Sequence, residues 1–204
     1  MWYEAKLALK LRAKTLGRRD WRRKHQVSPS PSVEPAHARP LAGAAGRRIR
    51  LVAAIAATVI LLDAGTKALA THFLTEHEPI DLLGGLISLD LYRNFAGPNN
   101  ILPGHTVVIS AISIVAAIAL VVIAFRVTST LAAVAVGLLL GGAVGNLLDR
   151  LLREPGPLRG GVVDWLRLAD RTNSMNLADL ALDAAIIVIL VGAVLGWWHD
   201  RERQ

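Results

Sequence analysis

The chain has no cysteine among its 204 residues. That excludes a disulfide framework, a cysteine metal site, a nucleophilic thiol and a lipid-modified cysteine on the protein itself. Six histidines are present, yet no His-Glu-x-x-His occurs, so an intramembrane zinc protease has no support. No Gly-x-Ser-x-Gly or other serine-nucleophile pattern stands where the apolar runs end. Charge is missing from long stretches, with none between Val127 and Leu148. What fills these gaps is apolar: 53% of residues are hydrophobic and the mean hydropathy is +0.43. The apolar residues come in long runs rather than in alternation, which points to a membrane protein.

The formal net charge is +7, and 13 of the 23 Lys and Arg lie in the first 50 residues, just before the first apolar run. This is the positive-inside pattern of a cytoplasmic N-terminus, which also favours anionic headgroups. No groove-reading motif accompanies the charge, so nucleic acid is not an expected partner. Residues 1–25 predict a basic amphipathic surface helix, and residues 26–46, rich in Pro, Ser and Ala, predict a disordered linker. Neither has the form of a cleavable signal peptide. The expected organisation is a basic, largely disordered cytoplasmic extension over 1–48, a four-helix membrane domain over 49–198, and a cytoplasmic tail over 199–204.

Four spans of the length a bilayer core requires are expected at about Arg50–Leu74, Thr106–Phe125, Val127–Leu148 and Leu177–Trp198. The second and third meet in a tight cytoplasmic turn at Arg126, and both termini face the cytoplasm. Residues 75–105 and 149–176 then face outward. The latter carries Arg150, Arg153, Arg159, Arg167 and Arg171, which strains the charge rule. LISLDLY (86–92) alternates and is rich in β-formers, predicting strands on the outer surface. The fold class is therefore an all-α membrane protein, a four-transmembrane-helix bundle with a small extracytoplasmic β-element between spans one and two.

An ionisable residue at membrane depth is costly and is a functional candidate by default. Asp63, Lys67, Asp149, Asp179 and Asp183 all fall near the outer ends of spans, and Asp164 lies in the outer segment between two of them. Singly, each has an architectural explanation. Asp63 and Lys67, at i,i+4, form a self-satisfying ion pair; Arg150 neutralises Asp149; Asn176 caps a helix with Asp179 at its N3 position. Together, at one depth, they form a site. Two carboxylates held close in a partly dry site cannot both ionise, so one keeps a proton while the other deprotonates a water. Such a pair hydrolyses amides without metal or cofactor, although paired Asp also coordinate ions or relay protons in transporters.

DAGTK (63–67), GGAVGNLLDR (141–150), VVDW (162–165) and NLAD (176–179) carry a resemblance. They are similar in order and placement to the Asp-x-x-Thr-Lys, Gly-Asn-x-x-Asp-Arg, Val-Val-Asp-Phe and Asn-x-Ala-Asp motifs of lipoprotein signal peptidase, the signal peptidase II family of bacterial intramembrane aspartyl proteases. The match covers about residues 48–198. It implies that Asp164 and Asp179 are the catalytic dyad. Asn94, Asn146, Asp149, Arg150 and Asn176 would orient dyad and substrate, and Asp63 with Lys67 would brace the bundle. It implies a lipidated prolipoprotein substrate cut before its diacylglyceryl-cysteine, in a multi-pass protein of the bacterial cytoplasmic membrane. Phospholipids surround it, no metal or cofactor is required, and a monomer is expected.

Two departures stand out. Where the family reads Asn-x-Gly-Ala-Ala-Phe, this chain reads Asn94 followed by FAGPNN, a Pro-Asn-Asn turn in place of small residues and an aromatic. Asp183, one turn past Asp179, introduces like-charge repulsion toward the dyad. A specialised or inactive homologue that binds lipoprotein or lipid is the alternative; a small ion transporter lacks the expected repeat halves and broken helices.

Overall fold

A bilayer offers the backbone no hydrogen-bond partner, so a chain of this composition crosses it as helices. A computed structural model describes residues 40–97, 102–168 and 174–203. Its helices are α1 (Pro40–Phe73), α2 (Thr106–Ala124), α3 (Thr130–Leu152) and α4 (Leu177–Arg201). All four are long and apolar enough to cross a membrane. The predicted amphipathic helix over 1–25 lies outside the described residues, as does most of the predicted linker.

Four boundaries differ from expectation by three residues or more. Residues 40–46, read as linker, already belong to α1. Pro40 occupies its first position, where a missing N–H costs nothing, and a Leu- and Ala-rich run follows. The third helix starts at Thr130 rather than Val127, because Ser129 caps it, its side chain accepting the Ala132 N–H at 3.1 Å. It also runs on to Leu152, so Asn146, Asp149 and Arg150 sit inside its last two turns. α4 continues past Trp198 to Arg201, whose guanidinium lies 3.9 Å over the Trp197 ring.

The bundle is held by small residues and turns its large ones outward. Leu69, Phe73, Val115, Ile118, Ile187 and Leu190 are exposed, whereas Ala133, Ala178 and Ala185 are fully buried. Lipid tails are as apolar as leucine, so close van der Waals packing must hold such helices together. α3 is the most enclosed of the four. Its glycine ridge lets α1 approach: a Cβ at Gly141 would meet Val59 at 2.6 Å, and one at Gly145 would meet Asp63 Oδ2 at 2.8 Å. On the other side a Cβ at Gly142 would lie 2.6 Å from the Ala178 carbonyl of α4.

One end of the bundle carries a three-stranded antiparallel sheet in the order β1-β2-β3, built from β1 (Ile80–Leu82), β2 (Ile87–Asn94) and β3 (Val162–Leu168). The β-element is therefore not confined to the segment between the first two spans, since β3 comes from the stretch after α3. VVDWLRL is rich in β-formers, and Leu91, Val163 and Ala70 of α1 bury one another. Tyr92 pairs with Asp164 and Asn94 with Val162, which makes Asn94 and Asp164 diagonal neighbours across the strands. Met175 extends the sheet, its N–H donating to Leu166 O at 2.7 Å, and so delivers Asn176 to the start of α4.

Candidate active site

Lys67 is the centre of charge on α1, 1% exposed. Its ammonium has three donors and finds three partners: Asp63 Oδ2 at 2.7 Å, Asp149 Oδ2 at 2.9 Å and Asn146 Oδ1 at 3.1 Å. The i,i+4 pair is thus not self-contained but ties α1 to α3. Asp63 uses its other oxygen to accept the Ala178 N–H at 2.9 Å, one of the donors that the first turn of α4 leaves open.

Asp149 joins three elements. Besides Lys67, it accepts the Val163 N–H of β3 at 3.1 Å and is bound by the Arg153 Nε. Here the expected partner is corrected. Arg153, one turn on, neutralises Asp149, because i,i+4 places both on one helix face whereas i,i+1 does not. Arg150 is turned inward and buried, and its Nη1 has no hydrogen-bond partner among the described residues. The charges acting on it are those of Asp164, Asp149 and Asp179.

The two carboxylates expected to do chemistry come from β3 and α4 and are joined by asparagines. Asp164 Oδ1 accepts from Asn176 Nδ2 at 2.6 Å, and Oδ2 from Asn94 Nδ2 at 3.1 Å. Asp179 Oδ1 accepts from Asn146 Nδ2 at 2.8 Å, and Oδ2 from the Asn176 N–H at 3.2 Å. Asn176 is fully buried and also forms a capping box with Asp179. The architectural explanation of this pair holds, and it coexists with the site. Asn176 Nδ2 further donates to Asn146 Oδ1 at 3.1 Å, which closes the network.

Asp164 is 1% exposed, and burial pushes its pKa from 3.8 up to about 7. The Asp179 carboxylate adds to the rise, while the Asn94 and Asn176 hydrogen bonds and the Lys67 charge oppose it. Every oxygen of Asp63, Asp149, Asp164 and Asp179 faces an ammonium, guanidinium, amide or backbone N–H. Those partners are donors and leave the carboxylates little lone-pair density for an ion; no cluster of three or more His, Asp or Glu suited to a metal occurs among the described residues.

Residues 55–195 match the sequence model of the family described as Signal peptidase (SPase) II. The chain belongs to the signal peptidase II family. It is 36% identical over 154 residues to a lipoprotein signal peptidase of Mycobacterium avium, covering 76% of this chain and 84% of that protein. It is 34% identical over 177 residues to one of Leifsonia xyli, covering 87% and 80%. Among solved structures, a bacterial membrane enzyme determined by the in meso method superposes with a TM-score of 0.63 at 26% identity, over 70% of this chain and 87% of that one.

Within this signal peptidase II chain, eight of the nine site residues expected from sequence are joined in one network of hydrogen bonds and ion pairs, and the ninth, Arg150, is buried beside it. Asp183 lies half-buried one turn past Asp179 on α4. Of the divergent loop, Pro98, Asn99 and Asn100 lie outside the described residues, but Phe95, Ala96 and Gly97 show how it starts. Asn94 Oδ1 accepts the Ala96 and Gly97 N–H groups at 3.1 and 3.0 Å, an Asx-type turn, with Gly97 at φ +79°. Phe95 lays its ring on Gly161, where a Cβ would come within 2.8 Å. An aromatic therefore does stand beside the site, ahead of the turn rather than after it. Arg153 is the residue that sequence reading missed; its i,i+4 spacing from Asp149 was the available signal.

Proposed function

We propose that this chain is an intramembrane aspartic endopeptidase that removes signal peptides from diacylglyceryl-modified prolipoproteins, cleaving before the lipidated cysteine. The observation that carries this reading is Asn176, which hydrogen-bonds both Asp164 and Asp179 and so holds two carboxylates from separate elements at one place. Their mutual repulsion and burial favour one shared proton. The helix N-terminus favours negative charge on Asp179, and the environment of Asp164 favours its protonated form. Asp179 then takes a proton from a water as the oxygen attacks the scissile carbonyl, and Asp164 donates a proton to the carbonyl oxygen. As the C–N bond breaks, Asp179 gives its proton to the leaving amine and Asp164 takes one from a hydroxyl of the tetrahedral intermediate, which restores the starting protonation. Arg150 Nη1, a buried donor without an acceptor among the described residues, suits a substrate carbonyl. Asn94, Asn146 and Asn176 orient the dyad, Asp149 holds β3, and Asp63 with Lys67 brace α1 against α3 and α4.

The names of the relatives support the substrate class, and the basic N-terminal region supports cytoplasmic termini with the site at the extracytoplasmic face of a bacterial membrane. The test is processing of a lipidated prolipoprotein by purified protein in liposomes, together with complementation of a strain lacking its own signal peptidase II. Asp164→Asn and Asp179→Asn should each abolish cleavage while inserting normally, and chelators should have no effect. Turnover by either variant, or inactivation by chelation, would overturn the assignment.

A further inference from the structure

Asp90 lies on β2 outside the dyad network, four residues before Asn94. Its Oδ2 accepts from Arg167 Nη1 at 2.9 Å and from Ser174 Oγ at 3.2 Å. Arg167 is on β3, three residues after Asp164, and Ser174 is two residues before Asn176. One carboxylate oxygen thus joins the three segments that supply Asn94, Asp164 and Asn176. Its position in the sheet is informative. The β2–β3 register breaks between Leu89 and Tyr92, so the regular ladder is interrupted at Asp90. Side-chain bonds stand at the point from which the Asn94-bearing end of β2 and the Asp164-bearing end of β3 extend. Asp90 is mostly buried, at 16% exposure of its side chain, so water competes weakly for these bonds.

We infer that Asp90 is a positioning residue for catalysis: through Arg167 and Ser174 it sets the placement of Asn176 between Asp164 and Asp179. The inference rests on the dyad reading given above. The segment entering α4 is otherwise tied to β3 by the backbone bonds of Met175 with Trp165 and Leu166. Those bonds keep it in the sheet, whereas the clasp fixes how far Asn176 stands from Asp164. Loosening it weakens the Asn176 donation that favours ionised Asp164. The charges facing Asp164 from the packed elements are Asp179 of α4, Lys67 of α1 and Arg150 of α3, and Asp63 and Asp149 are bonded to Lys67. None of these is bonded to Asp90, whose own charge is paired with Arg167; Asp90→Asn removes the same charge as Asp90→Ala, so the difference between the two variants reports geometry.

The experiment measures kcat, KM and the pH–rate profile on a lipidated prolipoprotein in liposomes. Asp90→Ala should lower kcat by about ten- to a hundredfold, the scale of small misplacements at a reacting centre, with KM within about twofold. The alkaline limb of the profile should move to higher pH. Asp90→Asn keeps an acceptor oxygen for both donors and should restore most of kcat. Ser174→Ala should lower kcat in the same direction and add little on top of Asp90→Ala. If Asp90→Ala inserts poorly, Ser174→Ala and Asp90→Asn carry the test by themselves. Wild-type kcat and profile in Asp90→Ala, or in Ser174→Ala when the former does not insert, would overturn the inference. So would full additivity of the two changes. Failure of the dyad reading is separate: it shows as turnover by Asp164→Asn.

Discussion

Replacing Asn94 with alanine should shift the pH dependence of cleavage upward, and the size of the shift follows from the site. Asp164, with its pKa near 7, is half protonated at neutral pH. If it supplies the proton to the carbonyl, wild-type kcat/KM falls above pH 7. Between pH 7 and pH 9 the protonated fraction drops about fiftyfold, and the rate should drop with it. Asn94 donates to Asp164 Oδ2 at 3.1 Å, a bond that stabilises the ionised form. A hydrogen bond to a charged group contributes about 1.5–3 kcal/mol, and one pH unit corresponds to about 1.4 kcal/mol. Asn176 still holds the other oxygen and water replaces part of the lost bond, so the limb should rise by about one unit. Initial rates from pH 5 to 9.5 in liposomes measure it. A limb that stays or moves down, or a wild-type rate that is flat to pH 9, would refute the reasoning. Stability gives an independent check of sign. The folded pKa of about 7 exceeds the ordinary 3.8, so the contribution of protonated Asp164 to stability is fully present below about pH 4 and is lost as pH rises through 7. Asp164→Asn should abolish that slope.

Lys67→Met leaves the Asp63 and Asp149 carboxylates buried without their shared cation and should cost about 3–5 kcal/mol in detergent unfolding. Adding Asp63→Leu should recover part of the loss, and full stability of the single variant would refute the bracing role. Gly145→Ala puts a methyl 2.8 Å from Asp63 Oδ2 and 3.2 Å from Ala178 Cβ, so it should cost about 1–3 kcal/mol and reduce cleavage. Gly196→Ala, with nothing among the described residues within 4 Å, should do neither. Reporter fusions at Gly104 and Pro155 should read extracytoplasmic and one at Arg126 cytoplasmic; an outward C-terminal reporter would remove the four-span orientation.

The residues of the site were legible because burying charge in a membrane protein is costly enough to make each charged residue in an apolar run informative. Asp63, Lys67, Asp149 and Asp179 announced themselves in that way. The Asp63–Lys67 pair and the Asn176–Asp179 cap were legible too, but the partner of Asp149 was not. Arg150 and Arg153 flank the same helix end, and only packing decides that the first turns inward while the second takes Asp149. β3 was equally hidden: its partner strand lies some 70 residues earlier, so VVDW read as a motif before it read as a strand. The start of α1 at Pro40 was obscured by composition, since alanine and glycine serve a linker as readily as a helix.

The polarity of the network starts from one residue. Lys67 can only donate, so Asn146 must turn its Oδ1 toward the ammonium and its Nδ2 toward Asp179. That same Oδ1 accepts from Asn176, whose amide hydrogens are thereby committed to Asn146 and Asp164 and whose oxygen is left for the Asp179 N–H. A single buried cation on α1 thus orients two amides, so that Asn146 directs a donor at Asp179 and Asn176 directs one at Asp164. Donors favour two charges on the pair, whereas burial and repulsion favour none or one. A balance of this kind holds one proton between two carboxylates and keeps it movable. It also explains why the first-span Asp and Lys, which touch neither Asp164 nor Asp179, lie at the same depth as both.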